Sequence, residues 1–319
     1  MTSPTTLHPA RDAILTQVLH GLERNRVPGY HFPGNFLGLS FDELQPERTR
    51  VSMQAGPHCV DRNGEADMSA FCVLADIALA SAVRAALQRS MRLATVSLQM
   101  QFTGLPRQGH LVASSTFNGY FHNGRAQQGL SRFSLSNAAG EVCFGHGAFM
   151  VLEPPAGFKL PRMLPHQGPL PGAPLLAPDS LNADEAGILD RTHAALSTAQ
   201  TGSGSFIENF WGFTTRKNRD GASATLKNGS HVANRVGHVQ GGILIGLAEA
   251  AARAALPAHW AASGLTACYL SPGEGATLTA RAKTIHQGSR TAVVHSIITG
   301  ANRRRVLETV ATYAAVERA

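Results

Sequence analysis

At 319 residues the chain is about twice the size of an ordinary single domain, which favours two domains. With 43% hydrophobic and 15% charged residues, and no apolar run recognised as approaching the roughly 20 residues of a membrane span, the composition is that of a globular protein without a span. The net charge of +7 suits an anionic partner, but Lys and Arg are dispersed and their one dense run, Arg303-Arg304-Arg305, falls at an expected hairpin tip. A phosphorylated small molecule is therefore favoured over nucleic acid.

The N-terminal stretch MTSPTTLHPARDAILTQ lacks the basic and apolar segments of a secretory signal, so a cytoplasmic location is expected. Cys59, Cys72, Cys143 and Cys268 are scattered, without a C-x-x-C pair or a His at metal-ligand spacing. They are expected to be buried free thiols, with no metal.

In chain order, an amphipathic helix opens the sequence and the same pattern returns later: Ile14, Leu15 and Leu22 match Ile188, Leu189 and Leu196 at an offset of 174. Gly38 then matches Gly212, and at 173 His58 and Gly64 match His231 and Gly237. The triplet Leu74-Ala75-Asp76 matches Leu247-Ala248-Glu249, inside two helices, MSAFCVLADIALASAVRAALQ and GGILIGLAEAAARAALPAHW, that are apolar on every face and so must be buried all round. Strands follow. Val96, Leu98, Met100 and Phe102 alternate with Thr95, Ser97, Gln99 and Gln101, placing the polar set on the opposite side. Later, at an offset of 164, His122 and Gly124 recur as His286 and Gly288, and Phe149 matches Tyr313. NAAGEV and GANRRRV are expected turns.

This colinear series predicts a tandem duplication. A first unit with its leading helix occupies residues 1–152, a proline-rich connector 153–178 and a second unit with its leading helix 179–319. The connector holds eight of the seventeen prolines and is expected to be extended. The fold class is α+β, each unit an antiparallel sheet curled around its own long apolar helix.

The stretch Asn234-Arg-Val-Gly237-His238-Val239-Gln240-Gly241-Gly242, with Glu249 eight residues after Gly241, resembles the signature of hot-dog fold acyl-CoA thioesterases, in particular the 4-hydroxybenzoyl-CoA and phenylacetyl-CoA thioesterase-like group. Gln240 stands where that family usually has His. The following strands are also similar, Thr95 through Pro106 and Gly109 in the first unit, Tyr269-Leu270-Ser271-Pro272 and Gly275 in the second. In the first unit the signature is degenerate: Asp61, Asp67, Met68 and Ser69 replace Asn234, Gln240, Gly241 and Gly242, while the acid persists as Asp76.

The resemblance implies a tandem, or double, hot-dog chain acting on acyl-CoA, with coenzyme A as part of the substrate, no separate cofactor and homo-oligomeric assembly. It also implies sites at the interface of the units, each taking a helix N-terminus and amide from one and an acid from the other. One seam would combine Asp76 as base or nucleophile, Asn234 to position water or substrate, and Gly241 and Gly242 as oxyanion donors. The other would set Glu249 against Asp61, Met68 and Ser69, and is expected to be inactive or altered. The chemistry suits these residue types, because thioester hydrolysis needs a carboxylate and donors for the developing oxyanion, and the first N–H groups of a helix are free donors. A carboxylate two turns into an apolar helix is costly unless something uses it.

Plainer roles compete. A hydrogen bond to a loop would also account for each acid, and helix entry for the glycines. His238 lies in the loop beside the signature and His58, His231, His122 and His286 recur by duplication, so structural roles are favoured for all five. Ser69 lacks a G-x-S-x-G elbow, and GSGSF at 202–206 lacks the Lys of a phosphate loop. A non-catalytic acyl-CoA-binding protein and a double hot-dog enoyl-CoA hydratase are the alternative functions, the latter without its paired Asp and His segment. Phe71, Leu74, Ile243 and Leu247 suit an aliphatic or aromatic acyl chain as well as plain core packing.

Overall fold

In the computed structural model, residues 9–27, 31–87, 91–123, 126–154 and 175–316 are described. Most of the proline-rich connector, and Gly124 of the repeated H-x-G pattern, lie outside them. The first unit runs α1 (Arg11–Asn25), α2 (Phe32–Phe36), β1 (Ser40–Leu44), β2 (Thr49–Gln54), α3 (Met68–Leu87), β3 (Arg92–Phe102), β4 (His110–Asn123), β5 (Ala126–Asn137) and β6 (Gly140–Leu152). In the second, the same order returns as α4 (Ala183–Gln200), α5 (Phe206–Trp211), β7 (Thr214–Asn218), β8 (Gly221–Lys227), α6 (Gly241–Ala255), β9 (Trp260–Tyr269), β10 (Thr277–Gln287), β11 (Thr291–Thr299) and β12 (Arg305–Ala315). The second apolar helix ends earlier than its composition suggests, since Pro257 follows Leu256 and cannot extend the ladder.

All strands join one antiparallel sheet ordered β1-β2-β4-β5-β6-β3-β9-β12-β11-β10-β8-β7, which reads alike from either end under the repeat. Its middle is the pair β3–β9, running from Ser97 opposite Cys268 to Gln101 opposite Gly264. The units are therefore halves of a single continuous sheet with one central seam. Each half curls around its apolar helix, and Phe71, Leu74, Ile243 and Leu247 are all fully buried.

Helix α3 corrects one expectation. Over Met68–Leu87 it is 20 residues long and apolar enough, by length and composition, to cross a membrane. The sheet takes the place that lipid would fill: 72% of its most apolar window is buried inside the protein. Cys268 departs as well, being exposed on β9 while Cys59, Cys72 and Cys143 are buried; all four are free thiols.

Helices α3 and α6 touch along small residues. A β-carbon on Gly242 would stand 2.3 Å from Val73 N and one on Gly246 1.9 Å from Ser69 Oγ. At the repeat offset Ser69 corresponds to Gly242 and Val73 to Gly246, so these are two copies of one contact around a pseudo-twofold axis. The short helices α2 and α5 obey the same symmetry: Phe36 and Phe210 lie 4.9 Å apart between ring centroids, flanked by Phe32–Phe210 at 6.4 Å and Phe36–Phe206 at 6.5 Å. Across the leading helices, Arg26 grips Glu185 with Nε–Oε1 2.8 Å and Nη2–Oε2 2.6 Å.

Candidate active site

The loop before helix α6 is held by hydrogen bonds up to the helix start, the last from Gln240 N to Val232 O at 2.9 Å. Within that loop Asn234 Oδ1 accepts from Val236 N at 3.0 Å and His238 N at 3.1 Å, and Gly237 closes the turn at φ 80°. Asp61 builds the same turn in the first unit, accepting from Asn63 N at 2.8 Å and Glu65 N at 3.2 Å. This is an Asx-turn that either residue can make. The Asn234 carbonyl is thus spent on its own loop, and the amide that meets the acid belongs to Gln240.

Gln240 is the N-cap of α6. Its Oε1 accepts from Gly242 N at 2.6 Å and Ile243 N at 3.2 Å, while its Nε2 donates to Asp76 Oδ2 at 2.8 Å. One side chain therefore ties the helix start of the second unit to the acid of the first. Asp76 Oδ1 accepts from Thr95 Oγ1 at 2.9 Å. Two of the first N–H groups of α6 are capped; that of Gly241, at the first helical position, has no acceptor among the described residues. A β-carbon on Gly241 would stand 3.0 Å from Asp76 Oδ2 and 3.2 Å from Tyr269 Oη, so only glycine leaves this corner open.

Thr95 reaches Asp76 because of a register shift. Strict alternation puts it on the opposite side from Leu98 and Met100, but β3 carries a bulge between Thr95 and Ser97 opposite β6, which turns Thr95 towards the helix. Neither Thr95 nor Gln240 stands out in the sequence as a partner of Asp76. The bulge leaves no composition signal, and glutamine is not among the strongly preferred capping residues.

Asp76 is 7% exposed. Burial pushes its carboxyl up to about 6 against the downward pull of the bonds from Thr95 and Gln240. The acid is therefore largely ionised at neutral pH yet basic enough to take a proton.

At the other seam the polar parts differ. Asp67, in the place of Gln240, accepts from Ser69 N at 2.9 Å and offers no amide to Glu249. Where β3 sets Thr95 opposite Phe149, β9 sets Ala262 opposite Tyr313; the donor to Glu249 Oε2 is accordingly the Tyr313 hydroxyl. Glu249 Oε1 is buried without a hydrogen-bond partner among the described residues. Burial raises the Glu249 carboxyl, and the nearby Asp67 charge raises it further, although the Tyr313 bond and the Arg253 charge oppose this. Met68, partly buried against the core, replaces Gly241.

Among the duplicated histidines, His58 and His231 are packed inside, whereas His122 and His286 are exposed. His58 packs edge-on to Phe36 at 5.6 Å and His231 to Phe210 at 6.0 Å, and burial lowers their rings to about 4 and about 3. His238 pairs with Glu274 at 3.0 Å in the loop. Ser205, within the GSGSF stretch, caps α5. Among the described residues, no cluster of His, Cys, Asp and Glu could hold a metal ion.

No family model matches the chain, and no curated protein matches it. Solved structures do. A putative oleoyl thioesterase from Lactobacillus plantarum is similar at 12% identity and TM-score 0.52, over 85% of this chain and 97% of that one. A conserved protein of unknown function with hot dog fold from Alicyclobacillus acidocaldarius is similar at 10% identity and TM-score 0.52, over 91% and 99%. A putative thioesterase from Novosphingobium aromaticivorans is similar at 12% identity and TM-score 0.50, over 88% and 99%. What these likenesses carry is the architecture: the chain has the hot-dog fold, in its tandem form.

Proposed function

We propose that the protein is an acyl-CoA thioesterase, hydrolysing its substrate at the seam that holds Asp76. The observation that carries this is the 2.8 Å bond from Gln240 Nε2 to Asp76 Oδ2, which sets an elevated carboxylate beside the uncapped Gly241 N–H. Asp76 takes a proton from water as the water oxygen bonds to the thioester carbon, and the carbonyl electron pair moves onto oxygen facing Gly241 N–H. Collapse breaks the carbon–sulfur bond and the coenzyme A thiolate receives the proton. Attack by Asp76 itself, followed by hydrolysis of the anhydride, uses the same groups. Thr95 and Gln240 orient the carboxylate, and the chemistry calls for no cofactor besides the coenzyme A of the substrate. Gly242 N–H is occupied by Gln240 Oε1, so Gly241 is the donor and Gly242 serves helix packing.

Three of the solved structures that match over most of both chains are named as thioesterases, one of them an acyl-ACP thioesterase from Bacteroides thetaiotaomicron with TM-score 0.50 and 12% identity, over 83% of this chain and 97% of that one. The test is release of free thiol from a panel of aliphatic and aromatic acyl-CoAs and one acyl carrier protein thioester. The expected result is turnover of at least one thioester, lost by roughly 10²–10⁴-fold in Asp76→Asn, the usual range for a general base. Tight binding of acyl-CoA without turnover would overturn the reading in favour of a binding protein.

A further inference from the structure

We propose that the Tyr269 hydroxyl is the second oxyanion donor of the Asp76 seam, partnering Gly241 N–H. This rests on the thioesterase reading above. Oxyanion sites gain from more than one fixed donor, yet Gln240 Oε1 already occupies Gly242 N and Ile243 N. Tyr269, at the end of β9, supplies a donor at the same corner: its hydroxyl donates to Gly241 O at 2.9 Å. A β-carbon on Gly241 would meet Asp76 Oδ2, Tyr269 Oη and Tyr269 Cε1 at 3.0, 3.2 and 3.3 Å, so acid, phenol and helix start converge on one point. The bond to Gly241 O is easily exchanged. That carbonyl already belongs to the first turn of α6, where the helix ladder uses it, and a phenolic hydrogen needs only to rotate about its carbon–oxygen bond to face an incoming oxyanion.

The molecule contains its own comparison. In β9 Tyr269 lies opposite Leu307, and in β3 the corresponding residue opposite Cys143 is Phe102. Phe102 packs against Phe71, ring centroids 6.0 Å apart, and carries no hydroxyl. The phenol thus accompanies Gly241, Gln240 and Thr95 on one seam and is missing together with all three from the other. A residue needed only to fill the end of the strand would serve as phenylalanine in both.

The experiment is Tyr269→Phe in the full-length protein, with wild type and Asp76→Asn alongside. The expected result is a fall in kcat of roughly 10²-fold, as for loss of one oxyanion donor, with KM changed by less than about threefold. Affinity for an acyl-CoA trifluoromethyl ketone, which presents a tetrahedral oxyanion, should fall in parallel, while affinity for an inert acyl-CoA thioether stays. A purely structural tyrosine would not separate the ketone from the thioether. Undiminished kcat and ketone affinity in Tyr269→Phe, in an enzyme that Asp76→Asn disables, overturns the role of Tyr269 alone. A wild type that neither turns over thioesters nor binds the ketone overturns the thioesterase reading and this proposal with it.

Discussion

Asp76 is held in tension between burial, which favours its neutral form, and two hydrogen bonds that favour the ionised one, with a balance near 6. Activity that depends on the carboxylate should therefore fall below a pH of about 6, with the acid limb of kcat/KM reporting this group. Stability runs the other way. The folded-state pKa lies above the ordinary 3.8, so the native state holds the proton over the window between those two values. The contribution of Asp76 to stability is greatest below about 4, declines as pH rises to about 6 and is flat above. The shift corresponds to at most about 3 kcal/mol. Asp76→Asn is expected to raise the denaturation midpoint at pH 7.5 and to leave it little changed at pH 4, a contrast that urea titrations at the two values would read. A midpoint lowered at pH 7.5 would mean that the two hydrogen bonds outweigh the burial of charge.

At the scale of elements, the N-terminus of α6 and the middle of β3 depend on single residues for their geometry. Gly241→Ala puts a methyl group between Asp76 and Tyr269 at separations of 3.0 and 3.2 Å, tight but borne by side chains that can shift. Its expected effect is loss of thioester turnover in a protein that still folds, checked by circular dichroism beside the thiol assay. Gly242→Ala meets backbone instead, at 2.3 Å from Val73 N and 2.5 Å from Cys72 C. It should destabilise the fold by about 1–3 kcal/mol or more, visible as a lowered urea midpoint. Paired acids on paired apolar helices revealed both helices and their burial, because helical amphipathicity, or its absence, is a local signal. The Thr95 contact was not legible, since a bulge changes the facing of a side chain without changing composition. Nor was the bond from Gln240 to Asp76, which joins residues 164 apart in sequence and exists only once the halves are assembled. Asn234, prominent in the motif, turned out to serve its own loop.

For the whole molecule, the duplication predicts one working seam. Glu249→Gln should retain thioester turnover, because the amide of Gln240 and the uncapped start of α6 both lie at the Asp76 seam. Loss of turnover comparable to that of Asp76→Asn would mean that both seams act. The pairing of the halves also rests on α2 and α5: Phe36→Ala and Phe210→Ala should each cost about 3–5 kcal/mol, measured by chemical denaturation. The sequence carried a sign of this contact in the recurrence of F-x-x-N-F-x-G at 32–38 and 206–212. A repeat shows that two segments correspond, but only the pseudo-twofold arrangement makes them neighbours.

The contact of α3 with α6 is lopsided in a way that the symmetry of the sheet conceals. The first unit contributes Ser69 and Val73, the second Gly242 and Gly246, so one helix supplies both protrusions and the other both recesses. Two copies of the second unit meeting on this axis would face recess to recess and leave voids; two copies of the first would have to seat protrusion on protrusion. Either mismatch would cost packing energy that the native pair does not lose. The halves have become unlike lock parts that fit in one combination, which limits exchange of units between chains and keeps Asp76 opposite Gln240 rather than opposite a second Asp67.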